Sequence, residues 1–220
     1  MNTESLSTSF IELDDWGLLD YEEALARQQQ LLERLLKGED EDTLVLVEHP
    51  PVVTLGRRGG AADLRTPAEE FSAAGVELCC INRGGLATAH EPGQLVAYPI
   101  IRLKQKDLRW YADTLLGTVI TLLADYGLKG ELKPGEPGVW VNQRKICSFG
   151  IALKKWISCH GIAMNVVNDL QTFNMIVPCG QPNETVTSMA RELGEKPDLQ
   201  EVKEKFLHHF LAAFAYRLKA

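Results

Sequence analysis

Along this chain, runs with strand character and runs with helical character are interspersed, and two of the strand-like runs fold back on one another. GVWV at 138–141 and SFGIAL at 148–153 read as the two arms of a β-hairpin. A hairpin pairs its strands antiparallel, whereas a helix placed between two strands permits parallel pairing. A chain with both kinds of connection does not build a purely parallel sheet. The expectation is an α+β architecture, a mixed β-sheet flanked by helices.

The other runs fill in that outline. FIEL at 10–13 reads as a short strand. Asp20 is placed to cap a helix over YEEALARQQQLLERLLK, which Gly38 ends, and Tyr21, Leu25, Leu32, Leu35 and Leu36 form its apolar stripe. TLVLVEH at 43–49 and PVVTLG at 51–56 are β-rich and are separated by the break at Pro50-Pro51. Pro67 opens a short helix in PAEEFSAAG, and VELCCIN at 76–82 and LVAYPII at 95–101 are strands. A long helix spans about 108–126, and WISCHGIAMNVV at 156–167 is a further strand. Residues 167–188 are loop-rich, VTSMAREL is a short helix, and LQEVKEKFLHHFLAAFAYRL is an amphipathic helix. With no internal repeat and no low-complexity linker, residues 1–220 are expected to form one domain.

Charge excludes one class of partner. The net charge is −7, so a broad basic face for nucleic acid is not expected. MNTESLSTSFIELDD lacks the basic and apolar regions of a secretory signal, and no apolar run approaches the ~20 residues that span a bilayer. The expectation is a cytoplasmic protein with no membrane contact. Cys79, Cys80, Cys147, Cys159 and Cys179 are odd in number, which argues against a disulfide framework, and none has CxxC spacing. Cys79, Cys80, Cys159 and His160 could gather around a metal, but adjacent cysteines are poor tetrahedral zinc partners, and the expectation is no metal.

GxxxxGK[ST], GxGxxG between strand and helix, and GxSxG are all missing, so a phosphate loop, a dinucleotide fold and a serine nucleophile elbow are not indicated. A thiol is the better candidate nucleophile. VPCGQPNETVTS sets Cys179 between Pro178 and Gly180, where backbone N–H groups beside the sulfur could receive an oxyanion. A reactive cysteine needs a partner that favours the thiolate. Lys145 in RKICSFG could supply it, and so could His49, His90 or His160, whereas His208 and His209 lie on the final helix. Strand alternation would place Lys145, Cys147 and Phe149 on one face, which makes Cys147 a rival thiol. Periodicity does not choose between Cys147 and Cys179.

LVEHPPVVTLG, RGGLATAHEPGQLVAYPI, GVWV with RKICSFGI, HGIAMNV and PCG, in that order across roughly 44–188, closely resemble the lipoyl(octanoyl)transferase family. The resemblance implies a biotin/lipoate protein ligase-like (class II synthetase-like) fold. It implies an acyltransferase that takes octanoyl from octanoyl-acyl carrier protein and needs no cofactor and no metal. The acceptor it implies is a lysine of a lipoyl domain, in 2-oxoacid dehydrogenases and in the glycine cleavage H protein. Cys179 falls at the family's acyl-thioester cysteine and Lys145 at the lysine that tunes it. The same carry-over lines the acyl pocket with Arg83, Gly84, Gly85, Leu86, Ala87, Thr88, Ala89 and His90, with Ser148, Phe149 and Gly150, and with Gly161, Ile162 and Ala163. The glycine pair of Arg83-Gly84-Gly85 and the Pro92-Gly93 step are expected to let backbone lie along the acyl chain.

Two positions depart from the family pattern. Where it reads Thr-Tyr-His-Gly-Pro-Gly-Gln, this chain has Thr88-Ala89-His90-Glu91-Pro92-Gly93-Gln94. Ala89 is expected to leave space in the pocket wall. Glu91 is expected to point outward into solvent, leaving the pocket wider or partly wet and acyl transfer slower or shifted in chain length. Two alternative readings follow: an acyl- or lipoyl-domain-binding paralogue of low or altered activity, and an ATP-dependent lipoate ligase. Arg102, Lys104, Lys106 and Arg109, or Arg57 with Arg58, are candidates for docking an acidic carrier.

Overall fold

The central strands are buried almost throughout, and successive residues enter opposite cores, so one sheet is covered on both sides. The computed structural model describes residues 9–177 and 185–219. Its strands are β1 (Ser9–Leu18), β2 (Thr43–Glu48), β3 (Val52–Leu55), β4 (Glu77–Cys80), β5 (Ala87–His90) and β6 (Gln94–Ile100), then β7 (Glu131–Lys133), β8 (Glu136–Val141), β9 (Arg144–Lys154), β10 (Ile157–Asn165) and β11 (Tyr216–Leu218). Its α-helices are α1 (Tyr21–Lys37), α2 (Leu108–Asp125), α3 (Met189–Leu193) and α4 (Leu199–Phe214). In β2, Leu44 and Leu46 enter one core and Val45 and Val47 another; in β6, Leu95 and Ala97 divide in the same way from Val96, Tyr98 and Ile100. The first core is closed by α2 and α4, and the second by α1 through Leu31, Leu32, Leu35 and Leu36. A period of two in each strand thus feeds two opposite layers.

The large sheet has the order β11-β1-β2-β6-β10-β9-β8-β7. β11, β1 and β2 run parallel to one another, and from the β2–β6 pair onward the pairing is antiparallel. A smaller sheet, β4-β3-β5, pairs β3 parallel to β4 and antiparallel to β5. The mixed sheet with flanking helices follows the expectation. Asp20 Oδ1 accepts from the N–H groups of Glu22 and Glu23, and Gly38 closes α1 in the left-handed region at φ 75°.

Several elements differ from the sequence reading. β5, β7 and β11 are additional strands, and β1 extends well beyond FIEL. The Ala-Thr-Ala-His run of β5 has little strand propensity, and its strand state comes from pairing with β3 between Val52↔His90 and Leu55↔Ala87. The helix expected after Pro67 is two short 3₁₀ turns, Ala68–Glu70 and Ser72–Ala74, pinned by the buried ring of Phe71. No helix among the described residues is long and apolar enough to cross a membrane.

Candidate active site

An irregularity in the β8–β9 hairpin decides which side chains face the site. Gly138 pairs with Ser148 and Val139 with Cys147, but Trp140 pairs with Lys145, so the register shifts between Val139 and Trp140. The inserted residue is a β-bulge, and it sends both Ile146 and Cys147 into the α2/α4 core. Lys145 therefore lies on the opposite face from Cys147 and on the same face as Ser148. Simple alternation would have put Lys145 with Cys147, and the bulge corrects that expectation. The Lys145 Nζ sits 4.7 Å from the Trp140 ring centroid. Cys147 is 1% exposed, and burial pushes its thiol up to about 12. A neutral thiol locked in the core is a poor nucleophile, so Cys147 no longer competes.

On that same face of the sheet lies a trough. Its floor is the glycine pair Gly150↔Gly161 with Ser148↔Ala163 beside it. A Cβ on Gly161 would sit 2.1 Å from the Ala97 carbonyl oxygen, so glycine is required for β10 to approach β6 here. His160, just before it, has φ 60°, and it turns its ring into the trough wall. The walls are Tyr21 from α1, Tyr98 from β6, Thr88 and His90 from β5, His160, and Arg83. The glycine pair keeps the floor low beneath the aromatic wall, and the Arg83 side chain lies over Gly150.

The polar groups in the walls are held neutral or tied down. Arg83 is 7% exposed, and its Nη2 donates to Thr54 O and Oγ1 at 2.7 and 2.8 Å. The Gln94 amide donates from Nε2 to Ala89 O and Asn165 Oδ1, so its Oε1 accepts from His90 Nδ1 at 3.1 Å. That fixes the tautomer of His90 with a lone pair on Nε2. Burial, with His49 and Arg83 nearby, pushes His90 well below the usual imidazole range. His160 donates from Nε2 to Asn82 Oδ1 at 2.9 Å, and its Nδ1 has no hydrogen-bond partner among the described residues. Burial and then the Arg83 charge bring it down to about 4. The Tyr21 ring stacks on His90 at 5.6 Å.

The structure thus gathers Arg83, Thr88, His90, Ser148, Phe149, Gly150, Gly161, Ile162 and Ala163 around one trough. Gly84, Gly85 and Leu86 form the turn behind it. The Gly84 N–H bonds to Ile151 O, so what approaches the glycine pair is the edge of β9. Ala87 and Ala89 face away, into a small core with Val53, Leu170 and Phe173. Ala89 is fully buried there and leaves no gap in the trough wall. The expected outward-pointing Glu91 is also corrected. It is 4% exposed, and its carboxylate accepts from Asn168 Nδ2 and from the N–H groups of Leu170 and Thr172. Cys179 lies outside the described residues. Sequence alone does not mark Tyr21 and Tyr98 as site residues: each fits the apolar stripe of its element, and the alternation Val96, Tyr98, Ile100 is the signal that assigns Tyr98 to the α1 face.

The fold, with this trough on the α1 side of its large sheet, is that of the lipoate and biotin protein ligases. A bipartite lipoate protein ligase from Thermoplasma acidophilum superposes with a TM-score of 0.74 at 19% identity, covering 95% of this chain and 86% of that one. Biotin protein ligase from Aquifex aeolicus in complex with biotin and ATP gives 0.56 at 15% identity, over 93% and 69%. Residues 20–211 match the family described as the lipoyl protein ligase A/B catalytic domain. An octanoyltransferase of Nitratidesulfovibrio vulgaris, strain Miyazaki F, is 47% identical over 91% of this chain and 93% of its own length. One of a Roseiflexus species is 45% identical over 90% and 85%. The chain belongs to the lipoyl protein ligase A/B catalytic domain family and, within it, to the octanoyltransferases, which makes it an acyltransferase.

Proposed function

We propose that residues 1–220 act as one catalytic domain that moves octanoyl from an acyl carrier protein to a lysine of a lipoyl domain through a thioester on Cys179. The Cys179 thiolate attacks the carbonyl of the carrier's thioester. A new sulfur–carbon bond forms, the old one breaks, and the pantetheine sulfur leaves with a proton from Lys145. The acceptor amine then attacks the acyl enzyme. A carbon–nitrogen bond forms, Cys179 departs as thiolate, and neutral Lys145 takes the amine proton. The octanoyl tail lies along the Gly150–Gly161 floor between Tyr98, His90 and Arg83. Thioester to amide runs downhill, so the reaction needs no ATP.

The observation that carries this reading is the face that Lys145 shares with Ser148, at the trough. It is supported by what holds Lys145. Its N–H donates to Thr185 O at 2.8 Å and its carbonyl accepts from Thr187 N–H at 2.9 Å. These residues follow Cys179 closely in the chain. An octanoyl-loaded carrier, mixed with the protein and no ATP, should leave a covalent octanoyl adduct visible by intact mass. Cys179→Ser should abolish it and Cys147→Ser should keep it. An adduct that survives in the first and vanishes in the second would overturn the assignment, and an absolute need for ATP would point to a ligase.

A further inference from the structure

The stretch that follows β10 is tied to the trough by an unusual carboxylate. Glu91 sits one residue after the trough histidine, is buried, and uses both oxygens on the 168–172 stretch. Oε1 accepts from Asn168 Nδ2 at 2.8 Å and from Leu170 N–H at 2.6 Å, and Oε2 accepts from Thr172 N–H at 3.0 Å. All three partners are donors, which suits an ionised carboxylate. Leu170 is held at φ 70°, a conformation a leucine rarely adopts unaided. Beside it the turn at Gly93 packs against the same stretch. Val167 N–H donates to Gly93 O, and a Cβ on Gly93 would lie 2.7 Å from Asn168 N.

The contacts continue in both directions. Asn168 Nδ2 also donates to Asn165 Oδ1, which accepts from Gln94 Nε2 as well, and Gln94 holds His90. Asn165 Nδ2 donates to Thr187 O at 2.9 Å. One buried polar chain thus runs from His90 in the trough to the 168–172 stretch on one side and to Thr187 on the other. Cys179 falls between these two anchored stretches in sequence.

We propose that Glu91 is a positioning residue: it fixes the 168–172 stretch against the trough and so sets where the chain leading to Cys179 begins. The proposal rests on the reading of Cys179 as the acylated thiol. It reverses the expectation from sequence that Glu91 weakens transfer. Three well-placed donors tie this loop to the carboxylate beside the trough.

The test uses Glu91→Gln and Glu91→Gly in the full chain, with Asn168→Ala as a milder variant that deletes one of the three donors. Glutamine keeps the shape but offers an NH₂ where an N–H already points, leaving a donor buried and unsatisfied. The measurements are kcat and KM for octanoyl transfer, the pH profile of Cys179 alkylation by iodoacetamide, and the urea midpoint. The expected result is a kcat lower by about tenfold or more in Glu91→Gln and Glu91→Gly, with the donor KM within about twofold, since small displacements of reacting groups cost rate. The alkylation profile should shift to higher pH in both, and in the same direction but less in Asn168→Ala. A lowered urea midpoint with unchanged kcat and unchanged alkylation profile would overturn the proposal, as would faster transfer in Glu91→Gly. If the parent protein forms no adduct on Cys179, the underlying reading fails. If the parent acylates and Glu91→Gln acylates at the same rate, only the role of Glu91 fails.

Discussion

His49 donates from Nδ1 to the Leu19 carbonyl, which leaves its Nε2 as acceptor of the Tyr98 hydroxyl at 2.8 Å. It is fully buried, and burial lowers it to about 4, as it does His160. The unfolded chain binds protons at these rings near pH 6.5, while the folded protein does not until about pH 4. Stability is therefore undiminished above pH 6.5 and falls as pH drops from 6.5 toward 4, where the loss levels off. Each ring can contribute on the order of 3 kcal/mol to that fall, at 1.36 kcal/mol per unit. Urea unfolding at pH 7 and pH 4.5 should show the drop, and His160→Gln should reduce it; a midpoint indifferent to pH across that range would show that the rings are protonated in the native state.

The β8–β9 bulge works at the scale of an element, since it converts a regular strand into one that faces two ways. It depends on Gly138, at φ 150°, where a Cβ would lie 2.6 Å from Cys147 O and 2.8 Å from Lys145 Cε. Gly138→Ala must move either the bulge or the lysine. It is expected to destabilise by about 1–3 kcal/mol, in line with the strain of such backbone positions, and to reduce acyl transfer more than stability alone explains. The comparison is adduct formation, well below the melting temperature, in Gly138→Ala and in Gly117→Ala, whose α2 position meets open space. Equal adduct yields in the two variants would show that the bulge is not what places Lys145.

At the scale of the whole molecule, an acidic protein with net charge −7 would dock an acidic carrier only through a local group of basic side chains. Of the first cluster considered for docking, Arg102 Nη2 donates to Leu35 O, Lys104 bonds Ser9 Oγ, and Arg109 pairs with Asp113. Arg57 and Lys154, by contrast, line one groove beside Asn82, the residue that holds His160. If the carrier enters along that groove, Arg57→Glu with Lys154→Glu should raise its KM severalfold and flatten the salt dependence, because steering charges act on encounter. Lys104→Glu should change the KM less. Steady-state kinetics at two ionic strengths distinguish the sites, and a KM that moves only with Lys104 would place docking at the other edge.

The pattern of residues determined much of this by itself: the mixed sheet, α1 between Asp20 and Gly38, the hairpin, and the family blocks that surround the trough. These are local or periodic properties, and periodicity survives without knowledge of contacts. The tertiary structure decided which face each residue took. One extra residue in a strand reverses every later side chain, so Lys145 and Cys147 separated through a bulge that no spacing announces. Ala89 and Glu91 followed the same rule. Alternation sends His90 to the trough and Ala89 to the small core, and Glu91 found its donors on a stretch about eighty residues later in the chain, near enough only once β6 and β10 had paired. A sequence records which groups a chain carries; which donors meet a buried carboxylate depends on distances that exist only after folding.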